Sequence, residues 1–146
     1  MVERFTTAPI ELPPRDRPFE RADLIFYGLD HSGASYEARV FIDPRGVGRE
    51  ADSSHRAYAG RFFIFGHGGC FGDVGHCDIP TDPDPFDLRP SHQLEPATQI
   101  VTVTDSVRGL LERGIEAAKV TVVARTEGRA PNDVLAFDTV RLVSYA

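Results

Sequence analysis

The sequence predicts an all-β protein, an antiparallel β-sandwich of jelly-roll type with one short helix near residues 105–113. Most of its apolar runs repeat every second residue, as strands with one buried face do. Turn signals rich in glycine, proline and aspartate separate these runs. One segment follows a helical period instead. Several short strands with a single helix are typical of sandwiches and barrels.

The N-terminal segment, residues 1–21, is predicted to be an extended, proline-rich arm. Pro9, Pro13, Pro14 and Pro18 fall within it. Proline has no backbone N–H to donate and its ring obstructs a helix, so this segment fits neither a helix nor a central strand. Residues 22–146 are then expected to form a single β-sandwich domain.

The first two strong strand signals, residues 24–27 and 36–42, are predicted to pair as a hairpin around the turn at residues 30–33. In the second strand one face is apolar and consists of Tyr36, Ala38, Val40 and Ile42. The other face is charged and consists of Glu37, Arg39 and Asp43. This alternation indicates a sheet with one solvated face.

Further strands are predicted along the rest of the chain. The run Phe62-Phe63-Ile64-Phe65 is expected to be a strand whose aromatic rings pack in the core. Residues 97–103 are rich in β-branched side chains, which favours another strand. Residues 120–124 and 134–143 are expected to pair as a closing hairpin.

The helix is predicted from its spacing and its end signals. Val107, Leu110 and Leu111 lie on one helical face. The tripeptide at residues 104–106, Thr-Asp-Ser, offers N-cap side chains, and Gly114 can take the left-handed conformation that ends a helix.

Composition and charge limit the possible classes of function. The chain has 146 residues, 41% of them hydrophobic and 26% charged, which fits one soluble domain. Its net charge of −6 with scattered basic residues argues against nucleic acid or an anionic membrane as partner. No apolar run reaches the roughly 20 residues of a membrane helix, and no signal peptide is recognisable. A cytoplasmic location is therefore expected.

The segment 66–78 is the strongest functional signal, because it combines both cysteines of the chain with two histidines among several glycines. We expect His67, Cys70, His76 and Cys77 to form one cluster that binds a soft or borderline metal ion. Copper(I) favours thiolate and imidazole ligands, and zinc, the alternative, accepts the same donors. The other histidines, His31, His55 and His92, are expected to be solvated.

Two other interpretations of this segment remain open. Cys70 and Cys77 can form a local disulfide that stiffens a glycine-rich loop, or remain free thiols. A cysteine thiolate beside His67 or His76 can also act as a nucleophile with its base, as in a small metal-dependent or Cys/His-dependent enzyme. Aspartates follow the cysteines in the sequence, which fits either a cation site or a solvated loop.

Six segments follow one another in an order similar to that of a known domain. They are Phe26-Tyr27-Gly28-Leu29-Asp30, Val40-Phe41-Ile42-Asp43, Ala59-Gly60-Arg61-Phe62, the stretch 106–114, the stretch 120–125 and the stretch 137–142. This order resembles the C-terminal domain of plant polyphenol oxidases, in the tyrosinase and catechol oxidase family. The resemblance implies a β-sandwich that shields the dicopper site of a catalytic domain.

The sequence lacks the two helices, each bearing three copper-binding histidines, that form the catalytic site of that family. The chain is therefore not expected to be a type-3 copper oxidase itself. The expected function is that of a non-catalytic accessory or shielding domain that binds copper or another soft metal through the glycine-rich Cys/His loop. Its expected partners are a tyrosinase-like enzyme or further copies of the same chain. A purely structural interaction domain with a Cys70–Cys77 disulfide remains the other non-catalytic alternative.

Overall fold

Two antiparallel β-sheets packed face to face, with one short helix against their core, form the described part of the protein. The computed structural model describes residues 2–68, 84–86, 88, 95–127 and 134–146. The elements are β1 (Val2–Thr6), β2 (Ile10–Glu11), β3 (Arg21–Leu29), β4 (Tyr36–Asp43), β5 (Tyr58–Ile64), β6 (Ala97–Thr102), α1 (Thr104–Glu112), β7 (Ala117–Arg125) and β8 (Thr139–Tyr145). The predicted all-β sandwich with a short helix is confirmed.

The strand order shows that both predicted hairpins are wrong. One sheet has the order β1-β7-β4-β5 with β2 also paired to β7, and the other has the order β6-β3-β8. Strands β3 and β4 thus lie in different sheets, and so do β7 and β8. The alternation of side chains specifies which face of a strand is buried but not which strand lies beside it. Residues 30–35 therefore connect the two sheets.

The segment predicted as an N-terminal arm contributes two of these strands. β1 pairs antiparallel with β7 from Val2↔Arg125 to Thr6↔Thr121, and β2 pairs with the beginning of β7. β1 occupies the edge of its sheet. The boundary between arm and domain stays a prediction.

The main core lies between the two sheets and contains Phe26 of β3. Phe26 is fully buried, and its ring centroid lies 5.0 Å from that of Phe62 on β5 and 5.6 Å from that of Phe137. Phe26 thus packs on the opposite sheet and on the segment that leads into β8. The apolar face predicted for β4 is buried in the same core: Tyr36, Ala38, Val40 and Ile42.

The opposite face of β4 is covered at one end, so the prediction of a wholly solvated face is wrong. Phe41 packs there with Val47, Ala51, Ala57 and Val123 in a second apolar cluster. Residues 44–57 therefore cover this end of the sheet. Asp43 is buried beside them and accepts a hydrogen bond from the Arg45 backbone N–H at 2.9 Å.

The aromatic run on β5 is divided between the core and the surface. Phe62 and Ile64 are 4% exposed, whereas Phe63 is 59% and Phe65 85% exposed. The expectation that Phe63 and Phe65 belong to the core is wrong, because consecutive strand residues point to opposite faces. Two aromatic rings are therefore left at the surface near the end of this edge strand.

Helix α1 begins without the side-chain cap that the sequence predicted. Its N-cap residue is Val103, and the Thr104 hydroxyl instead accepts a hydrogen bond from the Ala22 backbone N–H at 3.1 Å. The C-terminus is as predicted, with Gly114 at φ 79°. Gly114 N–H donates to the Leu111 carbonyl and Ile115 N–H to the Leu110 carbonyl, both at 3.0 Å, which is the Schellman pattern.

Among the residues described, no helix combines the length and the apolar character needed to cross a membrane.

Candidate metal site

Two chain segments are fastened together at one end of the sandwich, where β4 begins and β5 has ended. They are the connection 30–35 and residues 65–68. His67 N–H donates to the His31 carbonyl at 2.8 Å, and Gly66 N–H donates to the Ser35 hydroxyl at 2.9 Å. These hydrogen bonds place the beginning of the cysteine-bearing segment against the connection between the sheets.

Gly66 permits this close approach because it has no side chain. A Cβ at this position would collide with the carbonyl oxygen of Gly33 and with the backbone of Ala34. Gly33 differs, because a Cβ added there would meet no atom of the described residues within 4 Å. Glycine is thus required at residue 66 for contact between backbones, whereas residue 33 has room for a larger side chain.

The imidazole rings of His31 and His67 lie against each other. Their Nδ1 atoms are 3.1 Å apart, and the ring centroids are separated by 4.9 Å at an interplanar angle of 68°. The other nitrogen of His31, Nε2, lies 2.6 Å from the main-chain carbonyl oxygen of Glu95, just before β6. Three separate segments of the chain therefore meet at this pair.

The hydrogen bond to the Glu95 carbonyl indicates which nitrogen atoms of His31 and His67 carry hydrogen. A carbonyl oxygen only accepts hydrogen bonds, so His31 Nε2 carries a hydrogen and donates it. In neutral His31 the Nδ1 atom then has the lone pair and accepts from the Nδ1–H of His67. The hydrogen-bonding partners thus assign one tautomer to each ring.

The turn that carries His31 is fixed by its neighbour Asp30. The Asp30 carboxylate accepts a hydrogen bond from the Ser32 backbone N–H at 2.8 Å, which lowers the pKa of Asp30 below its ordinary value. Asp30 N–H also donates to the Ala136 carbonyl at 2.9 Å. The turn is therefore bonded both within itself and to the segment that precedes β8.

One of the four predicted metal ligands falls within the described residues. His67 lies at the site just described, whereas Cys70, His76 and Cys77, and with them the disulfide alternative, lie outside the described residues. His92 lies outside them too. Within the described ranges no three or more His, Cys, Asp or Glu residues converge as a metal-binding group, so the imidazole pair is what they contribute.

His31 is the site residue that sequence reasoning missed. It was expected to be solvated in a hairpin turn, but it contacts both His67 and Glu95. The prediction that His55 is solvated agrees better with the structure, because His55 is exposed. Its Nδ1 accepts a hydrogen bond from the Ala57 backbone N–H at 3.1 Å. Of these two described histidines, His31 is therefore the one that changes the composition of the site.

A buried tyrosine hydroxyl lies on the core side of the same strand end. Tyr36 opens β4 and is 4% exposed, and its hydroxyl has no hydrogen-bond partner among the residues that the structure describes. Burial raises the pKa of Tyr36 to about 12, and the nearby charges of Glu3 and Asp30 add to this shift. The neutral hydroxyl is thus favoured in the folded protein, although no described group forms a hydrogen bond with it.

We expect Tyr36→Phe to stabilise the protein by about 1 kcal/mol at neutral pH, because the change removes a buried hydroxyl that has no partner in the described part of the chain. The pKa of Tyr36 is higher in the folded protein than in the unfolded chain. The stability that the neutral phenol contributes is therefore complete below pH 10 and is lost as the pH rises towards 12. The variant should therefore lose less stability over that range. Urea denaturation at pH 7 and above pH 10 measures both effects. Tyr145→Phe, at an exposed ring, is the control, and equal behaviour of the two variants would contradict the prediction.

Comparisons of the chain with protein-family models, curated proteins and solved structures find no match. Function is therefore inferred from the geometry of the site and from the sequence around it.

Proposed function

We propose that this chain is a non-catalytic accessory domain that binds a soft or borderline metal ion, with copper as the first candidate and zinc as the second. The candidate donors are His67, Cys70, His76 and Cys77. The observation that supports the proposal is the pairing of His67 with His31, which fastens an imidazole at the point from which the chain continues to both cysteines.

The donor types favour these metals over hard cations. Thiolate and imidazole bind copper(I) and zinc well, whereas magnesium and calcium prefer oxygen ligands. His67 is also already held by main-chain contacts, which reduces the conformational entropy lost when a metal binds. Because the thiols must lose their protons to become ligands, the metal affinity should fall as the solution becomes more acidic.

The accessory part of the proposal is supported by the exposed aromatic side chains beside the site. Phe65 and Phe63 precede His67 by two and four residues and are largely exposed. The Arg61 guanidinium lies 5.2 Å from the centre of the Phe63 ring. Exposed apolar side chains at a sheet edge are typical of contact surfaces. The resemblance to the polyphenol oxidase C-terminal domain suggests a tyrosinase-like enzyme as partner, and in its absence a second copy of the chain.

Metal titration of the reduced, metal-free protein tests the site. We expect about one zinc or copper(I) ion per chain, and an affinity at least about a hundredfold lower for Cys70→Ser/Cys77→Ser, because two thiolate ligands are lost. The far-UV circular dichroism of that variant should keep its β-sheet signal, since none of the described strands contains either cysteine.

The control for the titration is His55→Asn, because its amide oxygen can replace Nδ1 as acceptor for the Ala57 N–H. This variant should bind the metal like the wild type. Stoichiometric metal retained by the double cysteine variant would contradict the proposal. A wild-type protein that binds no metal after full reduction would favour the disulfide or free-thiol interpretation instead.

A second variant separates the contact surface from the metal site. Phe63→Ser/Phe65→Ser leaves every candidate ligand in place and should bind the metal like the wild type. Its self-association in sedimentation velocity should be weaker, because two exposed rings are removed. A wild type that sediments strictly as a monomer, and from which affinity purification recovers no partner, would contradict the accessory role.

A further inference from the structure

We infer that His31 is itself a ligand of this metal ion and binds it through Nδ1, while its Nε2–H stays bonded to the main-chain carbonyl of Glu95. The inference rests on the proposed metal-binding function and adds a ligand that lies 36 residues before His67 in the chain. It is argued only from residues that the structure describes.

The hydrogen bond to Glu95 is the first argument. Histidines that bind metals usually donate the hydrogen of their other ring nitrogen to a carboxylate, a main-chain carbonyl or a water molecule, which fixes both tautomer and orientation. His31 has this arrangement, with Nε2 at 2.6 Å from the Glu95 carbonyl oxygen. The lone pair on its Nδ1 is consequently directed towards His67, the candidate ligand beside which the metal ion would bind.

The separation of the two rings is the second argument. Zinc lies about 2.0–2.1 Å from histidine nitrogen atoms, so two such nitrogens in a tetrahedral site are about 3.3 Å apart. The Nδ1 atoms of His31 and His67 are 3.1 Å apart. Small rotations of the rings therefore suffice for one ion to replace the hydrogen bond between them.

The protons balance without an additional acid or base. Before binding, His31 carries its hydrogen on Nε2 and His67 on Nδ1. With the ion between the two Nδ1 atoms, His31 is unchanged and the hydrogen of His67 is carried on its Nε2. The imidazole pair thus releases no net proton, and proton release on binding comes from the thiols alone.

The position of the pair in the fold is the third argument. His31 is held by a turn that is bonded to residue 136, His67 by the His31 main chain, and Glu95 lies just before β6. A ligand pair supported by three main-chain segments is preorganised.

Long-range ¹H–¹⁵N NMR spectra of the histidines in the full-length, zinc-loaded protein test this inference, together with the zinc affinities of two variants. We expect His31 and His67 both to carry hydrogen on Nε2 and zinc on Nδ1. His31→Ala should lower the zinc affinity at least about tenfold, whereas the control His55→Asn should leave it within about threefold of the wild type.

Zinc bound to Nε2 of His67, with its Nδ1–H retained, would overturn the inference. His31 would then be a positioning residue, and the proposed metal-binding function would still stand. A His31→Ala variant with the wild-type affinity would also overturn the inference. A wild type that binds no zinc would overturn the proposed function as well, so the two failures are distinguishable. Circular dichroism of His31→Ala excludes unfolding as the cause of a lower affinity.

Discussion

Replacing Gly66 with alanine is expected to weaken metal binding at least about tenfold and to lower the free energy of unfolding by about 1–3 kcal/mol. The new Cβ would meet the backbone of Gly33 and Ala34, which cannot give way as a flexible side chain can. The two segments must then separate. Their separation would break the His67 N–H bond to the His31 carbonyl and move the imidazoles apart.

Gly33→Ala is the matched control for this substitution. It adds the same methyl group in the facing segment, but at a position where no atom of the described ranges lies within 4 Å of it. Its effect on stability should stay within about 0.5 kcal/mol. Urea denaturation and zinc titration of both variants measure the difference. Similar results for the two variants would show that the close approach at Gly66 does not organise the site.

Phe26→Ala is expected to cost about 3–5 kcal/mol of the free energy of unfolding, the range typical for removal of a buried phenylalanine. Phe26 is fully buried and its ring packs against Phe62 and Phe137. Alanine would leave a cavity between the sheets that the surrounding strands cannot close. For a domain of this size such a loss approaches the total stability.

Ile100→Ala on the neighbouring strand β6 is the comparison for Phe26→Ala. Ile100 is 54% exposed, so folding removes little of its surface from water. Its replacement by alanine is therefore expected to lower the free energy of unfolding by less than about 1 kcal/mol. Denaturation with urea, followed by circular dichroism, gives both values. A loss below about 1.5 kcal/mol for Phe26→Ala would contradict the central place of this ring in the core.

The class of the fold could be predicted from the sequence because periodicity reflects burial. The alternation in β4 correctly identified Tyr36 and Val40 as core residues. It could not identify the neighbouring strands, because the same inward face packs in a hairpin or across a sandwich. The burial of Asp43 was missed for a similar reason, since the cover provided by residues 44–57 is a tertiary feature.

The candidate site could be predicted only where its residues are close in sequence. His67 stands three residues before Cys70, so the cluster was visible as a motif. His31 is 36 residues away from His67 and reaches it only because β4 and β5 are antiparallel neighbours. The pairing of Tyr36 with Ile64 places residues 30–35 opposite the residues after β5. Recognition of this strand register from the sequence would have identified His31 as a neighbour of His67.

The metal content of the protein, purified without chelators and with its thiols kept reduced, tests the central proposal most directly. Elemental analysis should find about one copper or zinc ion per chain, and dialysis at acidic pH should remove it because the ligands become protonated. Less than about a tenth of an equivalent of any transition metal, in protein that also takes up none from added zinc or copper(I), would contradict the metal-binding account.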